Sequence, residues 1–250
     1  MSSTEWITAV FSPTGGCRKV ARAIISGESV REVDLCTPLQ EEQVTSATLV
    51  AVVPVYGGRV PEVALERLRQ LRGNGGPAVA VVVYGNRAYE DALLELQTEL
   101  TANGYKVVAA AAFIAEHSIV RSIGTGRPHV EDIESATDFG KAVAAKVAAG
   151  DLSTVCVPGN MPYRERPQMP VTPLTLESCG GCGRCARLCP VGAIPAEAPH
   201  TTDAARCILC MRCVQVCPRR SRLLPPPVLE GMTQRLNLVA AEPKAPEIFL

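Results

Sequence analysis

Residues 6–25 read "WITAVFSPTGGCRKVARAII", and the way this stretch changes character fixes the reading of the chain's first half. An apolar strand-like run ends at Phe11, the six residues Ser12-Pro13-Thr14-Gly15-Gly16-Cys17 turn the chain, and a helical pattern follows directly over 17–26. The hydroxyls of Ser12 and Thr14, the glycines that admit a close backbone approach, and the amides and dipole of the helix N-terminus together form an anion cradle. The loop is not a P-loop, because the G-x4-G-K-[ST] pattern is absent, and it lacks the G-x-G-x-x-G of dinucleotide-binding turns.

Outward from this loop, apolar runs alternate with helical patterns. Strands are predicted at 6–11, 30–35, 48–55, 78–84 and 106–114, and helices at about 17–26, 61–72, 90–103 and 137–149. That alternation predicts an α/β fold with a doubly wound, five-stranded parallel sheet covered on both faces. The Val/Ala-rich runs "TLVAVVPV" and "KVVAAAAFI" suit strands buried on both sides. Composition changes at Gly150, where five prolines follow within 151–174 and helical periodicity fades. The expected organisation is an α/β domain over 1–150, a Pro-rich linker or crossing segment over 151–174, a cysteine-rich module over 175–222, and a tail over 223–250 that either packs on a module or moves freely.

The cysteine-rich module repeats itself. Cys179, Cys182, Cys185 and Cys189 follow C-x2-C-x2-C-x3-C-P ending at Pro190, and Cys207, Cys210, Cys213 and Cys217 do the same ending at Pro218. Three thiolates of such a run wrap one iron–sulfur cubane, while the fourth crosses to the other cluster. The expected ligand sets are therefore Cys179, Cys182, Cys185 and Cys217 for one [4Fe-4S] cluster, and Cys207, Cys210, Cys213 and Cys189 for the second. Zinc is the competing reading of C-x2-C pairs, but it requires neither the third spaced cysteine nor the proline after the fourth.

Lys plus Arg and Asp plus Glu each number 25, so the formal net charge is zero. No basic stripe runs along either half, which argues against nucleic acid as a partner. No apolar run reaches the roughly 20 residues of a membrane-spanning helix. The opening "MSSTEWITAVF" has no signal-peptide pattern, so a cytoplasmic location with reduced thiols is expected. His117, His129 and His200 are not clustered with carboxylates at metal-ligand spacing. Cys36 and Cys156 are expected as small buried hydrophobes, and Cys17, at a helix N-terminus, as a thiol open to a lowered pKa.

The cysteine repeat resembles bacterial two-cluster ferredoxins over about 45 residues, and "SPTGGC" is similar to the S/T-x-T-G-x-T phosphate loop of flavodoxins, with Cys17 at the last hydroxyl position. Across nearly its full length, including "PVYGGRVPE" (54–62), "YGNRAYEDALLEL" (84–96) and "VPGNMPY" (157–163), the chain resembles bacterial flavodoxin–ferredoxin fusion proteins. The resemblance implies a flavodoxin-like fold followed by a small α+β ferredoxin-like domain, with FMN at the carboxyl ends of the strands. It places FMN phosphate at Ser12, Thr14, Gly15, Gly16 and Cys17, and the flavin ring near Pro54, Tyr56, Gly57, Gly58, Gly85, Asn86 and Tyr89. Tyr56 or Tyr89 would stack on the ring, Asn86 would bond its pyrimidine edge, and Arg59 and Arg87 are candidates to neutralise a reduced flavin. The implied function is electron transfer between FMN and two [4Fe-4S] clusters. An FMN-dependent reductase of a small substrate, with 115–136 as its substrate loop, is the alternative, and the redox partner is unknown.

Overall fold

A computed structural model describes residues 6–26, 30–40, 43–45, 47–167 and 169–250. The signal-peptide expectation rests partly on 1–5, which lie outside the described residues. In chain order the elements are β1 (Trp6–Val10), α1 (Gly16–Ile24), β2 (Val30–Asp34), β3 (Gln43–Val44), β4 (Thr48–Pro54), α2 (Glu62–Leu68), β5 (Leu71–Arg72), β6 (Pro77–Tyr84), α3 (Ala92–Ala102), β7 (Lys106–Ile114) and α4 (Val130–Ala148). The cysteine-rich half adds β8 (Leu174–Thr175), α5 (Arg184–Arg187), α6 (Arg212–Gln215), β9 (Arg222–Leu223), α7 (Pro226–Val239) and β10 (Glu247–Phe249).

The main sheet runs β10-β7-β6-β4-β1-β2, and its first five strands in sequence pair in parallel. Setting aside the short β3–β5 pair, the parallel strands stand in the order second, first, third, fourth, fifth, which is the flavodoxin-like arrangement with its switch point beside β1. Alternation along each strand divides the core. Ala9, Ala51, Ala80 and Val82 pack with Leu65, Leu68, Leu93 and Leu96 on the α2–α3 face, while Val10, Val52, Val81 and Phe113 pack with Val20, Phe139 and Val143 on the α1–α4 face. Each fully buried aliphatic or aromatic side chain of this kind stabilises the fold by about 1.5–3 kcal/mol before entropy is counted.

The structure departs from the expected elements at β5, which occupies 71–72 where the helix was expected to run on, at the C-terminus and at the start of α4. The C-terminus returns as β10, antiparallel to β7, with Ile248 opposite Ala111. It covers an apolar edge strand that would otherwise offer open backbone groups to other chains. Helix α4 begins at Val130 rather than near 137, because the Asp132 carboxylate accepts a hydrogen bond from the His129 amide (3.0 Å) and caps a polar first turn.

The Pro-rich segment is an ordered strap across the α2–α3 face. The Val155 amide bonds the Val107 carbonyl. Asp91 accepts from the Asn160 amide (2.9 Å), the Asn160 side chain (3.0 Å) and the Arg164 amide (2.8 Å). Burial works against the Asp91 carboxylate, but the Arg164 and Asn160 amides overcome it and hold the group below its usual range. Further along, Arg166 bonds Glu62 and Glu95, and the Arg59 guanidinium lies 4.7 Å over the Tyr163 ring.

Candidate functional site

The two halves of the cysteine repeat correspond at an offset of 28 residues in spacing, backbone turns and closing bonds. Gly181, Gly183 and Gly192 in the first copy take positive φ (65°, 67°, 60°), and Leu209, Met211 and Arg220 take it at the matching places in the second (52°, 62°, 52°). These left-handed positions reverse the chain around each set of thiols. Closing bonds repeat too: the Ala193 amide donates to Cys189 Sγ (3.3 Å) and the Ser221 amide to Cys217 Sγ (3.2 Å). Strands β8 and β9 pair antiparallel and tie the two copies together.

Two cavities result. One is lined by Cys179, Cys182, Cys185 and Cys217, and the other by Cys207, Cys210, Cys213 and Cys189. Each thus receives three thiols from one copy and the fourth from the other. Among the described residues no three His, Cys, Asp or Glu side chains form a single-ion site; the thiols stand around a cavity instead. Four thiols about one cavity are the donor set of a cubane cluster, so the residues present fit the group. In the second cavity, burial pushes the Cys210 thiol up to about 12 and raises Cys207 and Cys213, and the positive charge of a bound metal would act in the opposite direction.

Arg222 sits between the cavities. It lines the first, lies close enough to Cys207 and Cys213 to favour their thiolates, and is only 3% exposed. Its guanidinium donates to the Pro199 and Thr201 carbonyls (2.7 and 2.9 Å) and to Thr202 Oγ1 (2.9 Å), while Nε has no partner among the described residues.

The second cavity abuts the strand-loop-helix cradle of the first domain. Arg212, in α6, donates to the Pro13 carbonyl (3.0 Å), and Gln215 donates to the Thr14 carbonyl (3.0 Å). Ile208 packs on the α2–α3 core face, and Arg67 donates to Leu35 O and Pro190 O (2.6 Å each). In the cradle, Ser12 is buried, its Oγ accepting from the Arg18 amide (3.0 Å) and its amide donating to Cys36 Sγ (3.3 Å). Thr14, Gly15 and Gly16 are partly open, and a methyl added at Gly15 (φ 94°) would meet nothing. Gly16 approaches the end of β7 so closely that a Cβ would lie 3.0 Å from Ala115 Cβ.

Cys17 departs from the expected lowered pKa. Its thiol points into the α1–α4 core, where burial pushes it far up, followed by the effect of Cys36, so position 17 faces the cradle with its backbone alone. Cys36 is buried as expected, its thiol raised to about 11, whereas Cys156 is exposed.

The remaining predicted positions divide between open and engaged. Pro54 ends β4, and the Tyr56–Arg59 turn closes through Tyr56 N to Arg59 O (2.9 Å). Burial, and then the neighbouring thiols of Cys210, Cys17 and Cys36, raise the Tyr56 pKa well above the usual value. Gly57 and Gly58 are packed by Pro167 of the strap and by Glu90. Gly85 lies under the His117 ring, whose Nδ1 accepts from the Ile119 and Val120 amides (3.2 and 3.0 Å). Asn86 and Tyr89 serve the tail: Asn86 donates to Ala240 O and Glu242 O and accepts from the Lys244 amide, and the Tyr89 hydroxyl bonds the Glu247 carboxylate at 2.6 Å. Arg59 and Arg87 are ion-paired with Glu95 and Glu90. The expected substrate loop is likewise engaged, packing Val120 and Ile123 on Leu236 and Ala240.

Sequence reasoning missed Arg67, Arg212, Gln215 and Arg222. A signal for the module contact was present: the polar "CGGCGRC" of the first copy becomes the apolar "CILCMRC" in the second, as expected of a copy that packs against another surface.

Residues 178–221 match the 4Fe-4S dicluster domain family, and the module's bound groups are [4Fe-4S] clusters. No curated protein matches the chain. Among solved structures it is similar to a flavodoxin from the domain Archaea (14% identity, TM-score 0.42, 58% of this chain and 99% of that one). It is also similar to a Streptococcus pneumonia TIGR4 flavodoxin (19%, 0.42, 57% and 97%) and to a Fusobacterium nucleatum flavodoxin bound to flavin mononucleotide (15%, 0.39, 57% and 96%). No helix among the described residues is long and apolar enough to cross a membrane.

Proposed function

We propose that the protein is an electron relay, with FMN in the first domain and the two clusters arranged in series beside it. The observation that carries this reading is the contact of α6 with the cradle: Arg212 and Gln215, on either side of Cys213, reach the carbonyls of Pro13 and Thr14. When bound, FMN and the clusters supply interconversion of two-electron and one-electron transfer. The amides of Thr14 to Cys17 at the start of α1 would hold the phosphate, and Tyr56 would stand between the flavin and the second cavity.

The proposed ligand sets are those that line each cavity, with Cys189 and Cys217 exchanged between the copies. The second-copy cluster is then the inner centre, shielded by Ile208 and Met211. The first-copy cluster is the outer one, since Cys182 is the exposed cysteine of the eight. The experiment is loss of the inner centre by Cys210→Ala in anaerobically reconstituted protein. The outer cluster should persist and accept electrons from dithionite, but photoreduced outer cluster should no longer pass them to FMN. Undiminished transfer would overturn the serial order.

A further inference from the structure

We propose that the mouth of the first cavity is the docking surface for an acidic electron-carrier protein. The proposal rests on the relay reading above and assigns its outer partner. The inner cavity lies on the side of the module that contacts the first domain and its Cys210 is buried, whereas the outer one has an exposed cysteine, Cys182. Around its mouth, Arg184, Arg187 and Arg219 are exposed. Two are held there by their own loop, Arg187 donating to Cys182 O (3.1 Å) and Arg219 to Ser178 O (3.4 Å).

Charge pairing distinguishes these arginines from eight of those in the first domain and strap. Arg18, Arg59, Arg69, Arg87, Arg121 and Arg127 of the first domain, and Arg164 and Arg166 of the strap, all form ion pairs. Among the described residues, Arg184, Arg187 and Arg219 have no carboxylate within ion-pair distance, and the acidic residues nearest them along the chain are Glu177, Glu197 and Glu230. Exposed Leu174 and Leu176 lead into Cys179 and add an apolar patch (37% and 43% exposed). Apolar contacts flanked by unpaired arginines are the composition of a protein-binding surface, and an unneutralised positive rim steers negatively charged proteins toward it.

The step at this surface is the movement of one electron from the carrier's reduced centre, which is oxidised by one unit, to the outer cluster, which is reduced by one. No bond or proton is exchanged.

The test uses the reconstituted full chain with an acidic plant-type [2Fe-2S] ferredoxin as probe. Binding of the oxidised ferredoxin is measured by calorimetry, and reduction of the clusters by its reduced form in stopped flow, normalised to reduction by dithionite. Binding should weaken and the normalised rate fall at least about tenfold between low and high salt, as contacts between exposed charges are screened. Arg187→Glu combined with Arg219→Glu should cause a similar loss at low salt. Rates and affinity of the unaltered protein that are indifferent to salt would overturn the proposal, whether or not the variant loads its clusters. It would equally be overturned if the variants shifted the cluster potentials with ferredoxin binding unchanged, since the arginines would then merely offset cluster charge. Failure of the relay itself has a different signature: clusters reduced by ferredoxin in a salt-dependent manner, with no reduction of FMN.

Discussion

Arg220, with φ 52° and an exposed side chain, holds the place that Gly192 holds in the first copy. A non-glycine residue in the left-handed region costs about 1–2 kcal/mol, partly offset by the greater unfolded-state freedom of glycine. Arg220→Gly should therefore be neutral or stabilise by up to about 1 kcal/mol, and Gly192→Ala should destabilise by about 1 kcal/mol, both read as the temperature of cluster loss. Leu209 and Met211 bear the same conformation but also line the second cavity, so strain there accompanies apolar lining. Arg222 permits a second test at this scale. A cation beside thiolates of both cavities favours the more negative, reduced form of either cluster. Arg222→Gln should make the cluster potentials more negative, on the order of 60 mV for each 1.4 kcal/mol of lost interaction in a one-electron couple. EPR-monitored titration measures this, and unchanged potentials would mean that the guanidinium is only a backbone clamp.

Among the elements, helix α4 lies on α1 only because position 140 has no side chain: a Cβ there would stand 1.8 Å from the Ile24 carbonyl oxygen. Gly140→Ala should force the helices apart and cost about 3 kcal/mol, measured by chemical denaturation, with Ala144→Gly on the same helix costing about 1 kcal/mol. The loop after β7 carries a pH dependence. Burial, and then Arg87, lower the His117 pKa from 6.5 to about 4. The unfolded chain therefore takes up the proton first, and His117 contributes stability that is lost as pH falls from 6.5 toward 4. His117→Gln should flatten the fall in denaturation midpoint between pH 7 and pH 5.5. The parallel strands were legible to within a residue or two, the inner ones because their Val/Ala runs are buried on both faces, unlike the edge strand β2, which is largely exposed. The start of α4 was not, because its first turn is polar and is held by Asp132 instead of by an apolar stripe. The edge strand β10 was hidden for a related reason: three residues pairing with a distant strand leave no periodicity to read.

For the whole molecule, the thiol spacing in the sequence led to an expectation of crossed ligand sets, and Cys189 and Cys217 each line the cavity of the opposite copy. The cradle was legible as a strand-loop-helix turn, but the use of Asn86 and Tyr89 was not, because their partners lie more than 150 residues away in the tail. Prolines suggested a linker or crossing segment over 151–174 without separating the two, and Asp91, Glu62 and Glu95 bind that segment to the first domain as a strap. Strap, tail and the Arg212–cradle contact together hold the two modules against each other, and the central claim is that this closeness serves electron transfer. It is tested most directly by flash photoreduction of the anaerobically reconstituted protein, following flavin and cluster absorbance over a tenfold range of protein concentration. The account predicts redistribution of electrons between FMN and clusters at a rate independent of concentration, slowed when Arg212→Glu disturbs the contact with Pro13. A rate proportional to protein concentration, or flavin and clusters that never exchange electrons within one chain, would contradict it.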